Sequence, residues 1–194
     1  MTKIKLKSTE RVFKMFADKV INQSIRNLKN QDHIDSGKLA QDLSYDLKVH
    51  KSLSLELNFK MPLYGMFQDK GVKGSSGKQS PKGKRNAYKS DYRFKGKNIK
   101  KGVVEAWLTR KGIQGRDRGY TKADGTKVKG TQRFIKRKTL AFIIGRSIAL
   151  YGLPATRFFS NAFRQHYRKL PKDIIRAYAQ DVRKFIKATT QDIK

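Results

Sequence analysis

Residues 43–61 have the sequence LSYDLKVHKSLSLELNFKM, and the spacing of their apolar side chains decides the fold class. Every second residue is apolar on both sides of a short polar turn at residues 50–52; these residues are Leu43, Tyr45, Leu47, Val49, Leu53, Leu55, Leu57, Phe59 and Met61. A spacing of two is typical of a strand that buries one face. The stretch therefore predicts a β-hairpin whose apolar face needs a cover from another element.

The segment before the hairpin predicts that cover. Between residues 9 and 30 the apolar residues recur at three- and four-residue steps, as in an amphipathic helix; they are Val12, Phe13, Phe16, Val20, Ile25 and Leu28. Ser8 or Thr9 can supply the side-chain oxygen that caps the first turn. After the hairpin, Pro62 ends the second strand, and residues 63–68 predict a short turn or a single helical turn.

Three more helices are predicted in the last third of the chain. One covers residues 133–151 and stops at Gly152, and a short one covers residues 156–169. The last begins near Pro171, extends to residue 190 and is predicted to bury Ile174, Ile175, Tyr178, Val182, Phe185 and Ile186. The fold class predicted is α+β, a small antiparallel sheet packed by N- and C-terminal helices.

The composition changes between the N-terminal helix and hairpin and the three C-terminal helices. Residues 71–98 are mostly Gly, Lys, Ser and Arg, and so few apolar side chains cannot offset the entropy of ordering the chain; the segment predicts a long loop or a disordered arm. Residues 99–109 predict a short helix or strand, and Asp124-Gly125 predicts a tight hairpin. We expect residues 1–70 and 133–194 to be two halves of one domain, separated by a basic insertion over residues 71–132.

The net charge indicates an anionic partner. The chain has 46 Lys and Arg against 15 Asp and Glu, a formal charge of +31, far beyond what solubility requires. We expect the basic insertion to contact nucleic acid or an acidic protein surface through Lys73, Lys78, Lys82, Lys84, Arg85, Lys89, Arg93, Lys95 and Lys97. Its Tyr88, Tyr92 and Phe94 suit stacking on bases, and equally suit docking on a neighbouring subunit.

The sequence has few of the residue patterns that are typical of enzyme active sites. There is no cysteine, the three histidines lie far apart, and no Gly-x-Ser-x-Gly motif occurs. The acidic residues of one stretch raise the possibility of a Mg²⁺ nuclease, but alternation places several of them on the solvated face of the hairpin; they are Asp32, Asp35, Asp42, Asp46, Glu56 and Asp69. We predict no enzyme activity, no cofactor and no metal. We also expect a soluble protein made in the cytoplasm, since no signal peptide or membrane-spanning run is evident.

Three stretches together resemble the tail-completion and neck proteins of tailed bacteriophages. Ile34-Asp35-Ser36-Gly37-Lys38-Leu39 is similar to that family's Thr-Gly-x-Leu step after the first helix. Tyr64-Gly65-Met66-Phe67-Gln68-Asp69-Lys70-Gly71-Val72 is similar to its Tyr-x-x-x-x-Glu-x-Gly-Thr turn, although Asp69 replaces the Glu and Val72 the Thr. Residues 153–163 resemble its Pro-x-x-Phe-φ-x-x-Ala entry to the C-terminal helix, where φ is apolar.

The resemblance implies a structural virion protein at the neck, assembled in the host bacterial cytoplasm. It implies a homo-oligomeric ring, twelve-fold or six-fold, that contacts the portal and adjacent neck or tail proteins and surrounds genomic DNA by electrostatic contact, with no membrane. The ring is left open between tail terminator, completion protein and portal-proximal adaptor. The alternative is a non-sequence-specific nucleic-acid-binding protein of ribosomal or nucleoid type, although the chain shows no known nucleic-acid module.

Overall fold

The computed structural model describes residues 6–31, 36–50, 54–76, 90–95, 99, 101–122 and 124–191. Over these residues the chain has seven helices and three two-stranded antiparallel sheets, so the predicted α+β class is confirmed. The chain divides into two compact units. The first unit comprises residues 1–69 and 157–194, and the second comprises residues 70–156.

The elements are as follows. Those of the first unit are α1 (Lys7–Asn30), α2 (Lys38–Asp42), β1 (Ser44–Val49), β2 (Leu55–Lys60), α3 (Leu63–Lys70), α6 (Phe158–Tyr167) and α7 (Leu170–Gln191). Those of the second unit are β3 (Val72–Lys73), α4 (Lys101–Arg110), β4 (Gly119–Thr121), β5 (Lys127–Lys129), α5 (Arg137–Tyr151) and β6 (Gly152–Leu153). The helices and the two hairpins predicted from the sequence are therefore present, with small shifts of their ends.

The β1–β2 hairpin has the predicted register. Tyr45 pairs with Phe59 and Leu47 with Leu57, so the period-two residues share one face. Phe59 and Leu57 pack against Phe16 and Val20 of α1, which confirms the predicted cover. The face is half-buried away from the turn and open near it, where Val49 is 48% exposed.

Aromatic rings form the centre of the first unit. Phe59 lies between the rings of α1 and α6, with centroid distances of 6.2 Å to Phe16, 5.3 Å to Phe159 and 6.1 Å to Phe163. All three pairs are edge-to-face, the arrangement that aligns the positive ring edge with the negative ring face. The hairpin is thereby fixed to helices from both ends of the chain.

The buried face of α7 differs from the predicted one. Ile175, Tyr178 and Ile186 are 70%, 47% and 54% exposed, so the prediction that they are buried is wrong for this chain. The buried positions are Leu170, Ala177 and Asp181, which form the stripe that packs on α1. Periodicity identifies apolar residues, but α7 is apolar around more than half of its circumference and α1 covers only one stripe.

The second unit has its own core. Val104 and Leu108 of α4 pack against Ala141 of α5, surrounded by Ile99, Trp107, Ile113, Leu140 and Ile144. The sequence predicts residues 133–194 to be one half of a domain shared with residues 1–70, whereas Ala141 of α5 packs on α4 and this helix lies in the second compact unit. Residues 77–89, 96–98 and 100, where most of the predicted disordered arm falls, lie outside the described residues.

Candidate nucleic-acid interface

Three of the nine predicted contact residues fall in the described part of the chain. Lys73 and Arg93 lie on adjacent backbone segments joined by a parallel bridge. The N–H of Lys73 donates to the Tyr92 carbonyl at 2.7 Å, and the N–H of Phe94 donates to the Lys73 carbonyl at 2.9 Å. The structure thus brings Lys73 and Arg93 together, with Lys95 exposed beyond them. The other six, Lys78, Lys82, Lys84, Arg85, Lys89 and Lys97, lie outside the described residues.

Residues 90–95 also dock on β3 through side chains. The Ser90 hydroxyl is 5% exposed and donates to the Gly71 carbonyl at 2.6 Å, and the Arg93 guanidinium donates to the Ser75 carbonyl at 2.8 Å. Residues 72–73 form β3, which the expected loop or disordered arm did not include, whereas residues 90–95 are a loop, in agreement with that expectation. Contacts with residues 71–75 offset the cost of ordering this loop, and Arg93 gives part of its hydrogen-bonding capacity to them.

Two glycines beside β3 allow close packing of the backbone. A Cβ at Gly74 would lie 1.9 Å from the Leu150 carbonyl oxygen, and Gly71 has a φ of +73°, in the left-handed region. Gly71 and Gly74 therefore allow the chain around β3 to run close against residues 150–155.

The larger cationic surface lies further along the chain, where sequence reasoning did not place it. It is formed by the β4–β5 hairpin and the start of α5, and we call it the cationic hairpin. Its members are exposed and comprise Arg116, Arg118, Lys122, Lys127, Lys129, Arg133, Lys136, Arg137 and Lys138. The nine cations face only two carboxylates, Asp117 and Asp124, in the same stretch. This excess of cations over carboxylates within 23 residues is the sequence signal that could have identified the surface.

Both carboxylates of the cationic hairpin are occupied by hydrogen bonds from nearby residues. Asp117 accepts the N–H of Thr131 and the N–H of Gly119, both at 3.0 Å, and these bonds lower the pKa of Asp117. Asp124 accepts the N–H of Thr126 at 2.8 Å, and this bond likewise lowers the pKa of Asp124. Across the described residues, no ion pair joins a cation of this surface to a carboxylate. Its charge therefore remains available to an external anion.

Exposed aromatic rings accompany these cations. Tyr120 is 64% exposed on β4 and Phe134 is 61% exposed just before α5. The Arg116 guanidinium lies over the Phe134 ring at 4.7 Å from its centroid. Cations spread on a hairpin bind phosphates irrespective of sequence, and open rings offer stacking surfaces for unpaired bases.

Two of the carboxylates considered for a metal site have other partners. Asp46 pairs with Lys60 at 3.7 Å and with Lys48 at 3.9 Å, and Glu56 accepts from the Asn58 amide at 2.7 Å. Asp32 and Asp35 lie outside the described residues. Within the ranges that the structure covers, no group of three or more His, Cys, Asp or Glu is arranged to hold a metal ion.

A second feature joins the motifs that carry the phage resemblance, and we call it the motif junction. Leu39 packs with Leu28 and Phe158, and a Cβ at Gly65 would lie 2.7 Å from the Leu39 Cδ1 atom. Asp69 accepts the N–H of Phe159 at 2.8 Å and the N–H and hydroxyl of Ser160, which caps α6. Residues from all three motifs therefore meet at one buried place in the first unit.

Comparison with known proteins adds no relative. No protein-family model, no curated protein and no solved structure matches this chain. In the described part of the chain, no helix is both long enough and apolar enough to cross a membrane.

Proposed function

We propose that this chain is a structural subunit of the neck of a tailed-phage particle, where it forms a ring between portal and tail around the DNA channel. The observation that carries this proposal is the motif junction. Three short motifs that match by chance would be scattered over a structure, whereas Leu39, Asp69 and Phe158 are in or next to one cluster. Each has a physical role there: Leu39 and Phe158 fill the core, and Asp69 caps α6.

Open apolar surface supports an assembling subunit. On α7, Ile175, Tyr178 and Ile186 lie along one exposed stripe, which we call the α7 stripe. Apolar stripes of this kind mark protein–protein contacts. The charge of +31 opposes self-association at low salt, so a ring needs either screening ions or an anion that neutralises its subunits.

The oligomeric state as a function of salt tests the proposal. We expect monomers at low ionic strength and a closed ring of six or twelve copies, seen by native mass spectrometry and negative-stain microscopy, at high ionic strength or with short duplex DNA. Ile175→Asp should prevent ring formation because it places a charge in the α7 stripe. Val103→Asp, at a residue of α4 that is 60% exposed, is the matched control and should leave the ring intact. A chain that stays monomeric under all these conditions contradicts the proposal.

A second function is favoured by the cationic hairpin, namely non-sequence-specific nucleic-acid binding outside a virion. Nine exposed cations with two occupied carboxylates suit a ribosomal or nucleoid protein equally well. The same experiment separates the two: binding of DNA by a persistent monomer, with no ring at any salt concentration, supports this second function.

A further inference from the structure

A groove of about 430 Å³ lies on the first unit between α1 and α7. Its apolar part is formed by Val12, Met15, Phe16, Leu170 and Ala177. Phe16, Leu170 and Ala177 are buried beneath it, whereas Met15 is 47% exposed. Met15 and half-buried Val12 are therefore the part of the apolar floor that an isolated chain leaves in contact with water.

The edge of the groove is cationic. Five exposed cations line it, Arg11, Lys19, Lys169, Arg176 and Lys184, and the carboxylate among the lining residues is Asp173. His166 lines the groove as well, and its surroundings lower its pKa through burial and through the nearby charges of Lys19 and Lys169. Among the described residues, the cations at the edge therefore outnumber the single carboxylate that lines the groove by five to one.

We propose that this groove docks an acidic amphipathic segment of a partner protein. The ligand has carboxylates that pair with the cationic edge, Lys19 on one side and Arg176 on the other, and an apolar side chain that covers Met15. A groove of this volume holds a few side chains of a helix or an extended peptide. This inference goes beyond the neck assignment and does not require a ring.

Charge decides between the possible occupants. A second copy of the chain, with 46 cations against 15 carboxylates, carries the same sign of charge as the groove. A nucleic-acid backbone matches the cationic edge but leaves the apolar floor uncovered, which forgoes the gain from burying it. An acidic amphipathic segment satisfies both the edge and the floor.

The probe is a labelled helical peptide of about four turns with leucines on one face and glutamates elsewhere, and binding to the full chain is measured by fluorescence anisotropy. We expect saturable one-to-one binding. The double variant Lys19→Glu/Arg176→Glu should weaken it by at least about tenfold, because it removes two charge-assisted pairs. Lys14→Glu/Lys29→Glu changes the net charge equally at exposed residues of α1 outside the groove, and should change affinity by less than about twofold because distant surface charges are screened.

Two further measurements test whether the apolar floor takes part and whether the peptide binds in the groove. Met15→Ser should weaken the leucine peptide several-fold and leave unchanged a control peptide in which serine replaces leucine. The bound carboxylates should also raise the pKa of His166, which proton NMR of its imidazole ring detects. Circular dichroism of each variant verifies that it is folded.

Three results overturn the proposal. Equal weakening by the two double variants means that only bulk charge attracts the peptide. Equal affinity of the serine and leucine peptides means that the floor does not take part. Displacement of the peptide by a short duplex, whose own binding is lost in Lys19→Glu/Arg176→Glu and retained in the control, assigns the groove to nucleic acid instead.

Discussion

The two units use their carboxylates in the same way and with different consequences. In both, aspartates accept backbone N–H groups: Asp69 and Asp181 in the first unit, Asp117 and Asp124 in the second. The first two are 3% and 2% exposed and bind helix starts far away in sequence. Asp117 instead joins the two ends of the β4–β5 hairpin through Gly119 and Thr131, and Asp124 binds within its own turn. The interaction is thus a long-range tie in one unit and a local one in the other.

The charge balance of the units follows the same division. The first unit has 22 Lys and Arg against 11 Asp and Glu, and the second has 24 against four. Aromatic packing and buried carboxylates stabilise the first unit, while small residues that allow close packing and an unbalanced cationic surface characterise the second. We therefore propose that the first unit is a scaffold and that the second unit contacts anions.

The largest expected loss of stability comes from a charge in the aromatic cluster. Phe59→Asp places a carboxylate among Phe16, Phe159 and Phe163 and should lower the free energy of unfolding by more than about 4 kcal/mol. Leu55→Asp is the control, since Leu55 lies outside the aromatic cluster and pairs with exposed Val49, and it should cost about 1 kcal/mol. Urea unfolding measures both, and equal losses would contradict the central role of the aromatic cluster.

The second prediction concerns the tie between the chain ends. Asp181 on α7 accepts the N–H groups of Ser8 and Thr9, and the Thr9 hydroxyl, all at 2.9 Å. Asp181→Ala leaves these buried donors without an acceptor and should lower the free energy of unfolding by about 3 kcal/mol. Asp124→Ala, at an exposed turn of the second unit, should cost much less; a similar cost would show that burial is not the source of the difference.

The hydrogen bonds of Asp181 should also affect how the stability of the chain depends on pH. Burial acts to raise the pKa of Asp181, but the hydrogen bonds from Thr9 and Ser8 outweigh it and lower the pKa in the folded chain. The stabilisation is therefore present above the unfolded value of 3.8 and is lost as the pH falls through the lower folded value. Asp181→Asn should remove this part of the pH dependence of unfolding, and an unchanged acid profile would contradict the assignment.

A third prediction concerns a substitution that should destabilise the second unit alone. Gly74→Ala places a methyl group against the Leu150 carbonyl and should destabilise by about 1–3 kcal/mol, since the backbone must move. Hydrogen exchange should show lost protection in α4 and α5 and unchanged protection in α1. Gly102→Ala, in α4 with open space around its Cβ position, is the control and should be neutral or slightly stabilising. Equal loss of protection in α1 would mean that the units unfold together.

Much of the fold was predictable because it depends on short-range patterns. Period-two spacing gave the β1–β2 pairing, Asp124-Gly125 gave the second hairpin, and Gly152 marked the end of α5. These signals lie within the elements that they define. The α+β class and most element bounds follow from them.

The remaining features depend on residues distant in sequence. Ser8 or Thr9 was predicted to cap α1 with its own side chain, whereas the cap comes from Asp181, more than 170 residues later. The α7 stripe was predicted to be buried because its period suits a core, and only packing against α1 distinguishes the covered stripe from the open one. The cationic hairpin was not predicted, because a longer Gly- and Lys-rich stretch precedes it and composition alone does not distinguish the two.

The variant with the smallest expected effect on folding tests whether the cationic hairpin contacts nucleic acid. Replacing Lys122, Lys127, Lys129 and Arg133 with serine should change the free energy of unfolding by less than about 0.5 kcal/mol, because all four are exposed and no ion pair of the described residues involves them. If each contacts one phosphate, the slope of log affinity against log salt for duplex DNA should become shallower by about three to four units, since each phosphate contact releases condensed counterions.

The matched variant replaces Lys82, Lys84, Arg85 and Lys89 with serine and removes the same charge from the first predicted contact segment. A change of slope only in the first variant assigns DNA contact to the cationic hairpin, and a change only in the second assigns it to the segment predicted from composition. Equal changes mean that the whole second unit acts as a diffuse cation. Strong discrimination between equal-length duplexes of different sequence would contradict all three outcomes, because phosphate contacts carry no sequence information.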